Sequence, residues 1–103
     1  MEDPYDVALT VHDESTFIDF LRVLSADRRD EVRKEMEDPS SPYGPGANGW
    51  EHGTIESYLD AAAAWAEDWN RIVEARKTPE MKELTGNPWQ KCALILAMGK
   101  VYE

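Results

Sequence analysis

Cysteine is almost missing from this chain. Cys92 stands alone among 103 residues, so no internal disulfide can staple the fold, and a reducing cytoplasm is the expected setting. Histidine is nearly as scarce. His12 and His52 lie far apart, and neither has a second His or Cys three or four residues away, the spacing at which a helix presents two metal ligands. No metal and no cofactor are expected. No serine occupies a nucleophile elbow, and the Gly-rich stretch GPGANG lacks the lysine and the preceding apolar strand of a phosphate-binding loop. With no constellation that fixes a reaction geometry, the chain is not expected to be an enzyme. No apolar run approaches the roughly 20 residues of a membrane span, and the opening MEDPYD has neither the basic start nor the apolar run of a secretory signal. Positive charge is also in short supply: 11 Lys and Arg face 21 Asp and Glu, for a net charge of −10. The imbalance is lopsided, since residues 1–69 carry 17 acidic and 5 basic side chains whereas residues 70–103 carry 4 and 6. Such a field disfavours nucleic acid and anionic lipid, which need cations against phosphate, and favours encounter with a basic partner.

What is present reads as one helical domain over residues 1–103. Hydrophobic residues make up 42 % of the chain, with four Trp, four Tyr and two Phe, enough for one core without a staple. Val7, Leu9 and Val11 alternate with small or polar neighbours, which predicts a short strand or an extended arm. A first helix starts near Asp13–Thr16, with Asp13 or Ser15 as cap, and presents an apolar face of Phe17, Phe20, Leu21 and Leu24, widened by Ile18. A break near Ser25-Ala26-Asp27 is expected, followed by a solvated, ion-paired stretch to Glu37. Residues 38–49 hold three Pro and three Gly and cannot continue a helix. Trp50 is expected to staple back onto the next helix. That helix, capped by Thr54, presents Ile55, Tyr58, Leu59, Ala62, Ala66 and Trp69 at steps of three and four, which predicts its buried face. Thr78-Pro79 and Asn87-Pro88 each carry a cap followed by proline. They predict a short helix over 78–86 and a last helix running to the end of the chain. The last is apolar around much of its circumference, so it is expected to be central, with Cys92 buried in it. The fold class is all-α, three main helices and a short one.

Carboxylates cluster in and after the first helix and again on the second, with aromatic residues in the loop between them. The candidate partner-binding residues are Glu31, Glu35, Asp38, Tyr43, Trp50, Glu51, Asp60, Trp65 and Asp68, a mixture of carboxylates and aromatic anchors suited to a basic protein surface. The alternative is a homodimerising scaffold domain that uses Trp65 and the alanine-rich side of the second main helix.

Three segments carry a family resemblance: Ser15, Phe17, Phe20-Leu21, Leu24 and Asp27; Trp50, Thr54-Ile55-Glu56, Tyr58-Leu59, Ala61 and Ala64-Trp65; Trp89, Ala93, Ile95-Leu96, Gly99 and Tyr102-Glu103. With these the chain resembles an uncharacterised family of small bacterial domains of unknown function. Such domains are similar in size and acidity to immunity proteins that neutralise co-encoded toxins. The resemblance therefore implies a helical fold and a toxin with a basic surface as partner, and it carries no assigned site residue.

Overall fold

The computed structural model describes residues 2–76 and 87–102, and among these four α-helices form and no strand. They are α1 (Pro4–Ala8), α2 (Glu14–Glu37), α3 (Ile55–Arg76) and α4 (Pro88–Gly99). The helix expected over 78–86 lies outside the described residues.

The strand expected around Val7–Val11 is a helix and a turn instead. Asp3 accepts a hydrogen bond from the Tyr5 amide at 2.9 Å, and Pro4 occupies the first helical position. A cap followed by proline starts a helix, and a lone strand would have had no edge to pair with. Val11 is buried at the end of the turn. Asp13 caps α2 through a reciprocal pair: its carboxylate accepts from the Thr16 amide at 2.9 Å, and the Thr16 hydroxyl accepts from the Asp13 amide at 3.1 Å. The helix then runs unbroken through Ser25-Ala26-Asp27, because the side chain of Asp27 is engaged elsewhere and does not cap a new start. Phe20 and Leu24 are buried, while Leu21 and Ile18, expected on the apolar face, are exposed.

In α3 the contact face is rotated away from the expected one. Ile55 is 76 % exposed and Leu59 is 52 % exposed, whereas Ala61 and Ala62 are buried and Tyr58, Trp65 and Trp69 are half-buried. Backbone proximity decides the rotation. A Cβ placed on Gly99 of α4 would lie 2.8 Å from the Ala62 Cβ and 3.1 Å from the Tyr58 ring, so the two helices meet on their smallest residues. The Tyr58 hydroxyl locks the register by donating to the Leu96 carbonyl at 2.6 Å.

The last helix is central, as its composition implies. α4 packs against α1, α2 and α3, while α2 and α3 scarcely touch one another. Asn87 caps it, accepting from the Trp89 amide at 3.0 Å. Its buried residues are small: Ala93, Ala97 and Gly99. Cys92 is exposed, contrary to expectation; the inward face is set by Ala93 and Ala97, and Cys92 falls beside it. The segment after α4 is docked: the Glu51 amide donates to the Lys100 carbonyl at 2.9 Å, and the Tyr102 hydroxyl donates to Asp68. No helix among the described residues is long and apolar enough to cross a membrane.

Candidate functional site

Asp27, Asp30, Glu31, Lys34 and Glu35 fall at i, i+3, i+4, i+7 and i+8, so they share one side of α2. This side continues the face of Phe20 and Leu24. The expected stretch is ion-paired and solvated on its outer side, but this side faces inward: Asp27 is 5 % exposed and Glu31 is 3 % exposed. The Pro/Gly loop and the Trp50 segment lie along it and supply its hydrogen-bond donors.

Glu35 ties both ends of the loop together. Its carboxylate accepts from the Ser40 amide at 2.7 Å, the Ser40 hydroxyl at 2.5 Å and the Ala47 amide at 2.7 Å. These bonds, the Ser40 hydroxyl foremost, hold its pKa below the ordinary carboxylate value. Asn48 is the next tie. Its amide nitrogen donates to the Asp27 carbonyl at 3.1 Å and to Asp30 at 3.0 Å, while its oxygen accepts from Lys34 at 2.8 Å. Asn48, then Lys34 and Arg33, hold Asp30 far below the carboxylate range.

Trp50 closes the seat. Its indole N–H donates to Asp27 Oδ2 at 2.8 Å, and its backbone N–H donates to Glu31 Oε1 at 3.0 Å. Lys100 Nζ reaches the same Asp27 oxygen at 2.8 Å, and Arg28 pairs with Glu31 at 2.7 Å. Both cations also lie over the indole ring, at 5.2 Å for Arg28 and 5.8 Å for Lys100. The ring of Tyr58 packs 5.4 Å away, so Trp50 does staple onto the first turn of α3. Two glycines make the path of the loop feasible. A Cβ on Gly46 would collide with the Glu31 carboxylate, and Gly49 has a φ of +88°, which L side chains rarely adopt.

Every buried side-chain nitrogen and oxygen among the described residues has a partner. Chemically, the seat is a satisfied charge network that fixes a loop. A cavity of about 260 Å³ opens beside it, lined by Asp27, Asp30, Lys34, Asn48 and Lys100 with Glu2, Asp3 and Pro4 at its rim. Among the described residues no group of three His, Cys, Asp or Glu is placed to hold a metal ion.

The nine residues singled out from sequence are divided by the fold. Glu31, Glu35 and Trp50 come together in the seat, facing inward. Asp38 caps the end of α2 and is exposed, and Tyr43 is 98 % exposed at the crown of the loop. Glu51 is half-buried, Asp60 is exposed on α3, and Trp65 stacks on Trp69 at 5.9 Å. Asp68 is engaged by Arg71 and Tyr102. On the alanine side of α3, Ala61 and Ala62 are covered, Ala62 by α4, while Ala63 is exposed. The residues that sequence reasoning missed are Asn48 and Lys100, with Asp27, Arg28 and Lys34 misplaced to solvent. A signal existed for Asp27 and Lys34: with Glu31 they continue the heptad-like stripe of Phe20 and Leu24.

No curated protein and no solved structure matches the chain. The family described as "Family of unknown function (DUF7660)" matches residues 13–103, which takes in α2, the loop, the seat and everything after it, and the chain belongs to that family.

Proposed function

We propose that this protein is a non-catalytic, acidic protein-binding module that presents its Pro/Gly loop to a basic protein, in the manner of a bacterial immunity protein covering a toxin in the cytoplasm. The observation that carries this reading is Tyr43: a tyrosine 98 % exposed on a loop tied down on either side, at Ser40 and at Ala47. An exposed aromatic on a fixed loop has already met the ordering cost of binding, and tyrosine is among the residues that dominate interface energies. Met36, 81 % exposed, with Glu37 and Asp38 at the end of α2 from which the loop departs, adds apolar and acidic groups on the same segment of chain. The net charge of −10 would speed encounter with a basic surface. The buried network supports a binding role over a catalytic one, because its carboxylates and cations satisfy one another.

The test is affinity measurement against the product of the adjacent reading frame. Tyr43→Ala is expected to weaken binding roughly 30-fold, the size of a hot-spot truncation, and Asp38→Lys to slow association. Should that product not bind, or should both variants bind like the parent chain, the loop is not the contact.

A further inference from the structure

The side of α2 opposite the charged seat faces solvent, and it is apolar and basic. Ile18, Leu21, Ser25, Arg29, Val32 and Met36 recur at steps of three, four and seven, forming one exposed stripe. Ile18, Leu21, Arg22, Ser25 and Arg29 line a shallow cavity of about 290 Å³ along it. The charge on this stripe runs against the rest of the molecule. Arg28, Arg33, Lys34, Arg71 and Lys100 each pair with a carboxylate. Arg22 and Arg29 have no ion-pair or hydrogen-bond partner among the described residues. In a chain with 21 carboxylates, two unpaired arginines on one apolar face mark a surface shaped for an acidic, amphipathic helix.

The chain itself contains such a helix surface. On α3, Ile55, Leu59 and Ala63 are exposed beside Glu56, Asp60 and Glu67, and none of these three carboxylates has a partner among the described residues. Asp60 and Glu67 are seven residues apart, as are Arg22 and Arg29, so each pair spans about 10.5 Å of helix. Laid in either direction, this match also brings Ile55 and Leu59 of one copy beside apolar residues of the other: Ile18 and Leu21 when parallel, Val32 and Met36 when antiparallel. Pairing α2 with α2 would set arginine near arginine, and pairing α3 with α3 would set carboxylate near carboxylate.

We infer that two copies of this chain associate through the outer face of α2 on one and the outer face of α3 on the other, with Arg22 and Arg29 meeting Asp60 and Glu67. A single contact of this kind falls short of the roughly 1,000 Å² of a stable interface, so the association is weak, on the order of 100 µM. It closes as a reciprocal pair or propagates head to tail.

Sedimentation of the full chain from about 10 µM to 1 mM tests it, with circular dichroism to confirm that each variant folds. The parent chain is expected to associate across this range. Arg22→Asp/Arg29→Asp takes the net charge from −10 to −14, and Asp60→Arg/Glu67→Arg takes it to −6. Each is expected to weaken association at least tenfold, and an equimolar mixture of the two to restore it. The second variant separates local matching from net charge: lower overall repulsion alone would make it associate more strongly than the parent. A parent chain monomeric throughout, a −6 variant that associates more strongly, or a mixture that fails to recover each overturns the inference. So does a monomeric parent chain captured by phosphatidylglycerol vesicles through Arg22 and Arg29, which would make the stripe a lipid contact. No other protein enters this experiment, so its failure leaves the Tyr43 reading standing.

Discussion

Removing the Lys100 ammonium while leaving Asp27 in place should cost more than removing both charges. The two groups are 2.8 Å apart, with side chains 11 % and 8 % exposed. At an effective dielectric of about 20, unit charges at that separation attract by about 6 kcal/mol, against a desolvation cost of several kcal/mol for each ion. The pair therefore contributes little net stability, but either half alone is a buried, uncompensated charge. In Lys100→Met, the Asp27 carboxylate keeps only the Trp50 indole at 2.8 Å and Asn48 at 3.3 Å. The expected loss is about 3–5 kcal/mol, a large share of the roughly 5–15 kcal/mol that stabilises a domain of this size. The melting temperature should fall on the order of 20 °C. Asp27→Asn/Lys100→Met should lose less than Lys100→Met alone, so the two single losses should be non-additive by more than the whole Asp27→Asn loss. Urea unfolding followed by circular dichroism reads all four corners of the cycle. A Lys100→Met loss below about 1 kcal/mol, or strict additivity, would refute the claim that this charge pair is coupled and desolvated.

Gly99→Ala should destabilise by about 1–3 kcal/mol, because the new methyl meets the Ala62 Cβ at 2.8 Å and its Cα at 3.2 Å, atoms that move only if α3 moves; an unchanged urea midpoint would dismiss that close approach. Glu35 has a depressed pKa in the fold, so its hold on Ser40 and Ala47 is present above the ordinary carboxylate value of 4.5 and is lost as pH falls through the folded value. Hydrogen exchange at the Ala47 amide should accordingly be slowed near neutrality relative to Glu35→Gln and match it once Glu35 is protonated; matching rates at neutral pH would remove Glu35 as the clamp. Burial pushes the Tyr58 phenol up to about 12, so its contribution to stability is complete below its ordinary value of 10 and is lost as pH rises through about 12. Phenolate absorbance should show a late step that Tyr58→Phe deletes.

The starts of α2, α3 and α4 were legible in the sequence because they depend on local chemistry; that of α1, with the same kind of signal at Asp3-Pro4, was not read from it. Asp13 with Thr16, Thr54, and Asn87 with Pro88 announce their helices through hydrogen bonds made within a turn. The rotation of each helix was less legible, because a stripe of large apolar residues is only one way to choose an inner face. In α3 the inner face keeps Tyr58 and Ala62 of the expected stripe, where α4 approaches through Gly99, and turns away from Ile55 and Leu59 toward Ala61. A periodicity argument weights side chains by hydrophobicity; the fold weighted them by how close two backbones come. For Asp27 and Glu31 the same argument misfired in the other direction, sending carboxylates to solvent although they continue the Phe20–Leu24 face. Their partners, Trp50 and Lys100, are 23 and 73 residues from Asp27, and no local pattern pairs them.

This redistribution changes what the acidic composition means. A surplus of carboxylates over residues 1–69 invites the idea of one broad acidic face. Asp27, Asp30, Glu31 and Glu35 are instead engaged in fixing the loop, and Asp68 is engaged by Arg71 and Tyr102. Asp38, Glu56, Asp60 and Glu67 reach solvent without a partner among the described residues, Asp38 at the end of α2 and the other three along the outside of α3. The inward carboxylates pre-form the loop and thereby lower the ordering cost at Tyr43, whereas the outward ones steer and select partners. Neutralising an inward carboxylate such as Glu35 should therefore weaken binding by loosening the loop, with little effect on the association rate at low salt. Neutralising Asp38 should slow association and leave the Ala47 amide protected. Those two signatures separate a charge that shapes the binding surface from one that attracts what binds there.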